Sequence, residues 1–133
     1  MKIGIAIYGI LSADSDVTDD VSTRIFPNVA PPKTTFPFIV YDVTSDEPTD
    51  YKQGVSSLDT NSVMVSVYAE TYTKAADVAT NVRTALDRTS GTYSGVVVQS
   101  IKFDGYNDSF DEDSGGRGIY RKALDFNVRQ VIT

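Results

Sequence analysis

The chain contains no cysteine, no histidine and no tryptophan. Without cysteine there is no disulfide, no thiolate nucleophile and no sulfur ligand for zinc. Without histidine there is no Ser-His-Asp triad and no side chain that ordinarily titrates near neutral pH. The missing cysteines leave the redox compartment open. Cations are also scarce. Twelve Lys and Arg face eighteen Asp and Glu, for a net charge of −6. A protein that grips DNA or RNA must displace counterions from phosphates with positive charge, so direct nucleic-acid binding is disfavoured. No apolar run is long enough to span a membrane.

What is present suits one domain spanning residues 1–133. Its 41% hydrophobic and 23% charged residues are those of an ordinary globular protein. The clearest signal is a change of hydrophobic period. Val63, Val65, Val67 and Ala69 alternate, as in a strand with one buried face. Within a few residues Ala75, Val78, Ala79, Val82, Ala85 and Leu86 fall on one stripe of a helix. Thr73 is read as the N-cap of that helix, with Asp77 suited to the positive end of its dipole.

At the start, Ile3, Ile7, Ile10 and Leu11 share a helical face, predicting an amphipathic helix over 2–12 rather than a secretion signal. Thr18 is a possible cap for a short turn containing Asp19 and Asp20. Pro27 to Lys33, with adjacent prolines, reads as a loop. Further strands are expected at 36–43, 96–103 and 119–131, with Pro37 at a strand start or edge. Val97, Ile101 and Phe103 are expected on one face of the third strand, and Leu124, Phe126 and Val128 inward on the last. Phe38, Phe103 and Phe126 read as core. Residues 45–58 and 104–118 read as long polar loops. The expected fold is α+β: a four-stranded, mainly antiparallel sheet with two helices packed on one face.

No catalytic constellation stands out. Asp104, Asp108, Asp111, Glu112 and Asp113 form the densest acidic cluster. From Asp111, an EF-hand would need glutamate at its twelfth position, where Lys122 stands. A small metal-dependent hydrolase built on Asp104, Asp108, Asp111 and Asp113 is a remote alternative, since few apolar neighbours surround them to raise a pKa. No metal ion or cofactor is expected. Tyr51, Tyr72, Tyr93, Tyr106 and Tyr120 lie at element ends or in loops, where aromatics suit protein interfaces.

The order of landmarks carries a resemblance. Arg24-Ile25-Phe26-Pro27-Asn28-Val29-Ala30-Pro31 is followed by Phe36-Pro37-Phe38-Ile39-Val40-Tyr41, then Val63-Met64-Val65-Ser66-Val67-Tyr68-Ala69 and the alanine-rich helix. Asp111-Glu112-Asp113 and the strand from Tyr120 to Val128 close the series. In this order the chain resembles the tail-completion, or tail-terminator, proteins of long-tailed bacteriophages and prophages.

The resemblance implies a structural virion protein, not an enzyme. It implies a homo-oligomer, a hexameric ring on the head-proximal end of the tail tube, assembled in the host bacterial cytoplasm. Such a ring halts polymerisation of the major tail tube protein and joins the tail to the head connector, while genomic DNA passes through its lumen unbound. Another neck or head-closure adaptor is the alternative within the phage setting. Subunit or partner contacts are expected at the Pro27 to Lys33 segment, the two polar loops and the outer face of the last strand: Pro27, Pro31, Pro32, Tyr51, Lys52, Tyr106, Asp111, Asp113, Arg117 and Arg121.

Overall fold

A computed structural model of the chain describes residues 2–48, 58–112 and 118–131. Its elements are α1 (Ile3–Ala13), α2 (Ser15–Val21), β1 (Ile25–Pro27), β2 (Phe38–Pro48), β3 (Leu58–Ala69), α3 (Tyr72–Leu86), β4 (Gly91–Tyr93), β5 (Val96–Glu112) and β6 (Gly118–Val131). The α+β class stands, but the sheet has six strands rather than four, in the order β1-β2-β3-β6-β5-β4. All pairings are antiparallel except β1 with β2. Among the described residues three helices, not two, cover one face.

α1 buries Ile3, Ala6, Ile7, Ile10 and Leu11 on the stripe its periodicity predicts. α2 is too short for its own periodicity to announce it. Its cap is Asp14, not Thr18: the Asp14 carboxylate accepts from the N–H groups of Asp16 and Val17 at 3.0 and 3.2 Å. α3 is capped by Thr71, two residues before the expected Thr73, through its hydroxyl and the Lys74 N–H at 3.2 Å. Its buried stripe is Ala75, Val78, Ala79, Val82 and Leu86.

The core lies between these stripes and the inward rows of the sheet. Val63 pairs with Phe126, and Val65 with Leu124. Phe103 meets Phe126 edge-on at 5.6 Å. Two predicted placements fail here. Phe38 lies outside the core, on the opposite face, stacked on Tyr68 at 4.9 Å. Val97 does not share a face with Ile101 and Phe103. A bulge between Val98 and Ser100 inserts one residue and inverts the alternation, so Val96 and Val98 point inward instead.

The polar stretch from Asp104 is not a loop: β5 continues unbroken to Glu112, paired with β6 down to Glu112↔Gly118. Composition suggested a loop, but a long partner strand supplies the hydrogen bonds that composition cannot reveal. The other predicted loop is also shorter than expected, because β2 runs on to Pro48. Residues 49–57 lie outside those described.

Candidate assembly surface

The second half of β5 is an edge, and its backbone groups can be followed one by one. β4 covers Val96 to Val98. Beyond that, the Arg88 N–H donates to the Ile101 carbonyl at 2.7 Å, and the Asp87 carboxylate accepts from the Phe103 N–H at 3.0 Å. A second bulge follows between Phe103 and Gly105, where Gly105 takes φ +138°, a conformation disfavoured for any residue with a Cβ. Past it, strand alternation turns the N–H and C=O of Tyr106, Asp108 and Phe110 away from β6. No described element pairs with that side. Tyr106 and Phe110 are 57% and 55% exposed, and every residue from Tyr106 to Glu112 is exposed. A long bare edge with exposed aromatics is a template for pairing with another chain.

One cluster fixes this edge to the body. Lys122 shares the inward phase of Leu124 and Phe126 and is only 6% exposed. Its ammonium donates to Asp108 Oδ1 at 2.7 Å and to the Tyr72 hydroxyl at 3.3 Å. The Tyr72 hydroxyl reaches Asp108 Oδ2 at 3.4 Å. The ammonium also sits 4.4 Å from the Tyr72 ring centre and 5.0 Å from that of Tyr106. Burial pulls the Lys122 pKa down, but the bonds to Asp108 and Tyr72 together outweigh it and hold it above the ordinary value of 10.5. A lysine kept charged is neither a base nor a nucleophile near neutral pH. It is a tie joining β6, β5 and the first turn of α3. Shallow clefts of about 280 and 240 Å³ flank it.

The face of the sheet away from the helices carries a row across four strands: Phe38, Tyr68, Arg121 and Ser109. Arg121 donates through Nε and Nη2 to Ser66 Oγ at 3.3 and 3.0 Å, and its guanidinium lies 5.8 Å from the Tyr68 ring centre. With Phe36, Phe110, Asp111 and Ile119 this row lines a groove of about 410 Å³.

The expected contact residues therefore fall in separate places. Tyr106 and Asp111 are on the bare β5 edge. Pro27 ends β1 at the opposite edge, and Pro31 and Pro32 are exposed in the connection that follows. Arg121 is on the open face between them. Tyr51, Lys52, Asp113 and Arg117 lie outside the described residues. Sequence reading named Asp108 within the acidic cluster and Tyr72 as an interface aromatic, but missed that Lys122 joins them, and missed Phe110. The signal for Lys122 was its inward phase with Leu124, Phe126 and Val128, where a cation must find a partner. The supposed metal cluster is dispersed: Asp108 is bound to Lys122, and Asp111 projects from the other face of β5. Among the described residues no three acidic side chains come together as metal ligands. Nor is any described helix long and apolar enough to cross a membrane.

The sheet is covered by helices on one side and carries exposed polar and aromatic side chains along the β5 edge. The chain belongs to the tail completion protein gp17 family, whose profile matches residues 5–130. It is thus a structural protein of a phage-type tail. Among solved structures it is similar to a chain from the virion of a native gene transfer agent particle. The two share 19% identity and a TM-score of 0.70, over 95% of this chain and 92% of that one. At that identity the likeness establishes the fold. No curated protein matches the chain in sequence.

Proposed function

We propose that the chain forms a hexameric ring on the head-proximal end of the tail tube. The ring stops further addition of the major tail tube protein and joins the tail to the head connector. The observation that carries this reading is the bare β5 edge from Tyr106 to Glu112. A monomer leaves its backbone groups and two large aromatics in water, whereas head-to-tail copies cover them and close a ring. Membership of a tail completion family and a fold also found in a virion particle support the same reading.

The net charge of −6 fits the role. Acidic side chains around a DNA channel repel phosphate and keep the passing genome from sticking. Assembly belongs in the host bacterial cytoplasm, where tube and head proteins are made.

The test has two parts. Native mass measurement of the protein, alone and on purified tubes, should give a six-copy species. Electron microscopy of particles lacking the protein should show tails of uncontrolled length that fail to join heads. A protein that stays monomeric on tubes, or that contacts only head-side neck proteins, overturns the reading.

A further inference from the structure

The two edges of the sheet are unlike in charge, and the difference points to a specific contact between copies. From Asp104 to Glu112 there are four carboxylates and no cation: Asp104, Asp111 and Glu112, together with Asp108, whose charge is paired with Lys122 of β6. From Arg24 to Tyr41, which includes β1 and the proline connection, there are two cations, Arg24 and Lys33, and no carboxylate. These segments sit on opposite sides of the sheet, since the strand order runs from β1 through β2, β3 and β6 to β5.

Both segments also expose apolar surface. Val29 is 75% exposed, between the exposed Pro27 and Pro31, while Tyr106 and Phe110 are each more than half exposed. Proline side chains have little conformational freedom to lose, so exposed aromatics can pack on Pro27, Pro31 and Pro32 at small entropic cost. The Pro27 carbonyl already accepts from the Val29 N–H and the Pro31 carbonyl from the Thr34 hydroxyl, so the segment offers its side-chain surface more than its backbone, and its prolines bring no competing donors.

We propose that the acidic β5 edge of one copy seats on the Pro27–Lys33 segment of the next, with Tyr106 and Phe110 against Val29 and the prolines, and Lys33 facing the carboxylates. This rests on the ring reading above and names its subunit contact. Other pairings are less favourable. Two β5 edges placed together would oppose acid to acid. The edge of β2 beyond β1 begins at Asp42, another carboxylate. A contact between unlike edges is heterologous, and a rotation that closes it gives a ring rather than a dimer.

The absence of cysteine makes the test clean. The double variant Val29→Cys/Phe110→Cys, oxidised after assembly, should give a ladder of covalent oligomers ending in the closed ring. Val29 follows β1 at one edge while Phe110 lies on β5, with β2, β3 and β6 between those strands, so the bond is expected to join two copies. The control Thr84→Cys/Phe110→Cys, with one cysteine on the exposed face of α3, should give none. A second measurement uses charge. Lys33→Asp and Asp111→Lys should each raise the concentration needed for assembly several-fold, and together restore it. Rings by native mass with no ladder and no charge-swap rescue overturn this contact while sparing the ring. A protein that never oligomerises, in solution or on tubes, overturns both.

Discussion

The ammonium of Lys122 lies 2.7 Å from Asp108 Oδ1, with the lysine side chain almost wholly buried and the aspartate side chain 41% exposed. The pair is unequal, and each partner's removal has a different cost. Asp108→Ala leaves a buried ammonium with Tyr72 as its hydrogen-bond partner. Lys122→Met leaves a carboxylate that water can reach, and fills the buried site with an apolar chain of similar length. Asp108→Ala should destabilise the fold by about 2 kcal/mol, and Lys122→Met by less than about 1 kcal/mol. Chemical denaturation of both variants checks the order. Equal losses would mean that the lysine is not desolvated in solution.

The same group sets an alkaline limit. Lys122 holds its proton more tightly folded than unfolded, so its contribution is fully present below the unfolded value of 10.5 and is lost as pH rises through the folded one. Tyr41 acts in the same direction. Burial, with Tyr8 nearby, raises its pKa above 10.0, so the unfolded chain releases that proton first. Melting temperature should therefore be insensitive to these two groups up to about pH 9.5 and fall steeply above it. Lys122→Met and Tyr41→Phe should each flatten the fall.

Asp14 is the N-cap of a seven-residue helix and accepts from two N–H groups. So short a helix has little stability of its own. Asp14→Ala should cost about 1 kcal/mol, measured by thermal or urea unfolding, and Asp14→Asn much less. Thr18→Ala should be nearly neutral, since Thr18 does not cap the helix.

Asn61 is completely buried on the inward face of β3, and among the described residues neither of its side-chain polar atoms has a hydrogen-bond partner. It sits two residues before Val63, between the apolar row and the polar positions Asp59 and Gln130 that face each other in register. Replacing it with an apolar residue removes an uncompensated desolvation. Asn61→Val should stabilise the isolated protein by about 1 kcal/mol. A loss of stability would mean that an ordered water satisfies the amide.

Gly118 stands where β6 begins, under the ring of Phe110. A Cβ there would lie 2.7 and 2.9 Å from two ring atoms. Gly118→Ala should displace the ring and change stability by less than about 1 kcal/mol, because Phe110 is exposed and can swing into solvent. Since Phe110 is part of the proposed contact, assembly should weaken more than folding does. Parallel melting and native mass measurements separate the two effects.

Much of the fold was legible because it is local. The stripe Ile3, Ile7, Ile10 and Leu11 matched one face of a helix. The switch at Ala69 from alternation to a helical stripe marked β3 and α3 within a few residues. The inward phase of Leu124, Phe126 and Val128 also held. Local pattern could not show where the polar half of β5 belonged. Asp104 to Glu112 has no apolar alternation, and it is a strand because β6 lies beside it.

The bulges beside Gln99 and Asp104 were equally hidden. One extra residue inverts every later side chain, so simple alternation puts Val97 on the face of Ile101 and Phe103 when it lies on the other. By itself the sequence determined the class of fold, the helix stripes, the unlike charge of its segments and the lack of triad or thiol chemistry, since all of these depend on residue types and short-range spacing. The tertiary structure alone decided that the acidic segment is a bare edge, that Lys122 ties it to α3, and that the proline segment lies on the other side of the sheet. Strand pairing joins residues far apart in the chain, and which groups remain unpaired is known only once every partner has been placed.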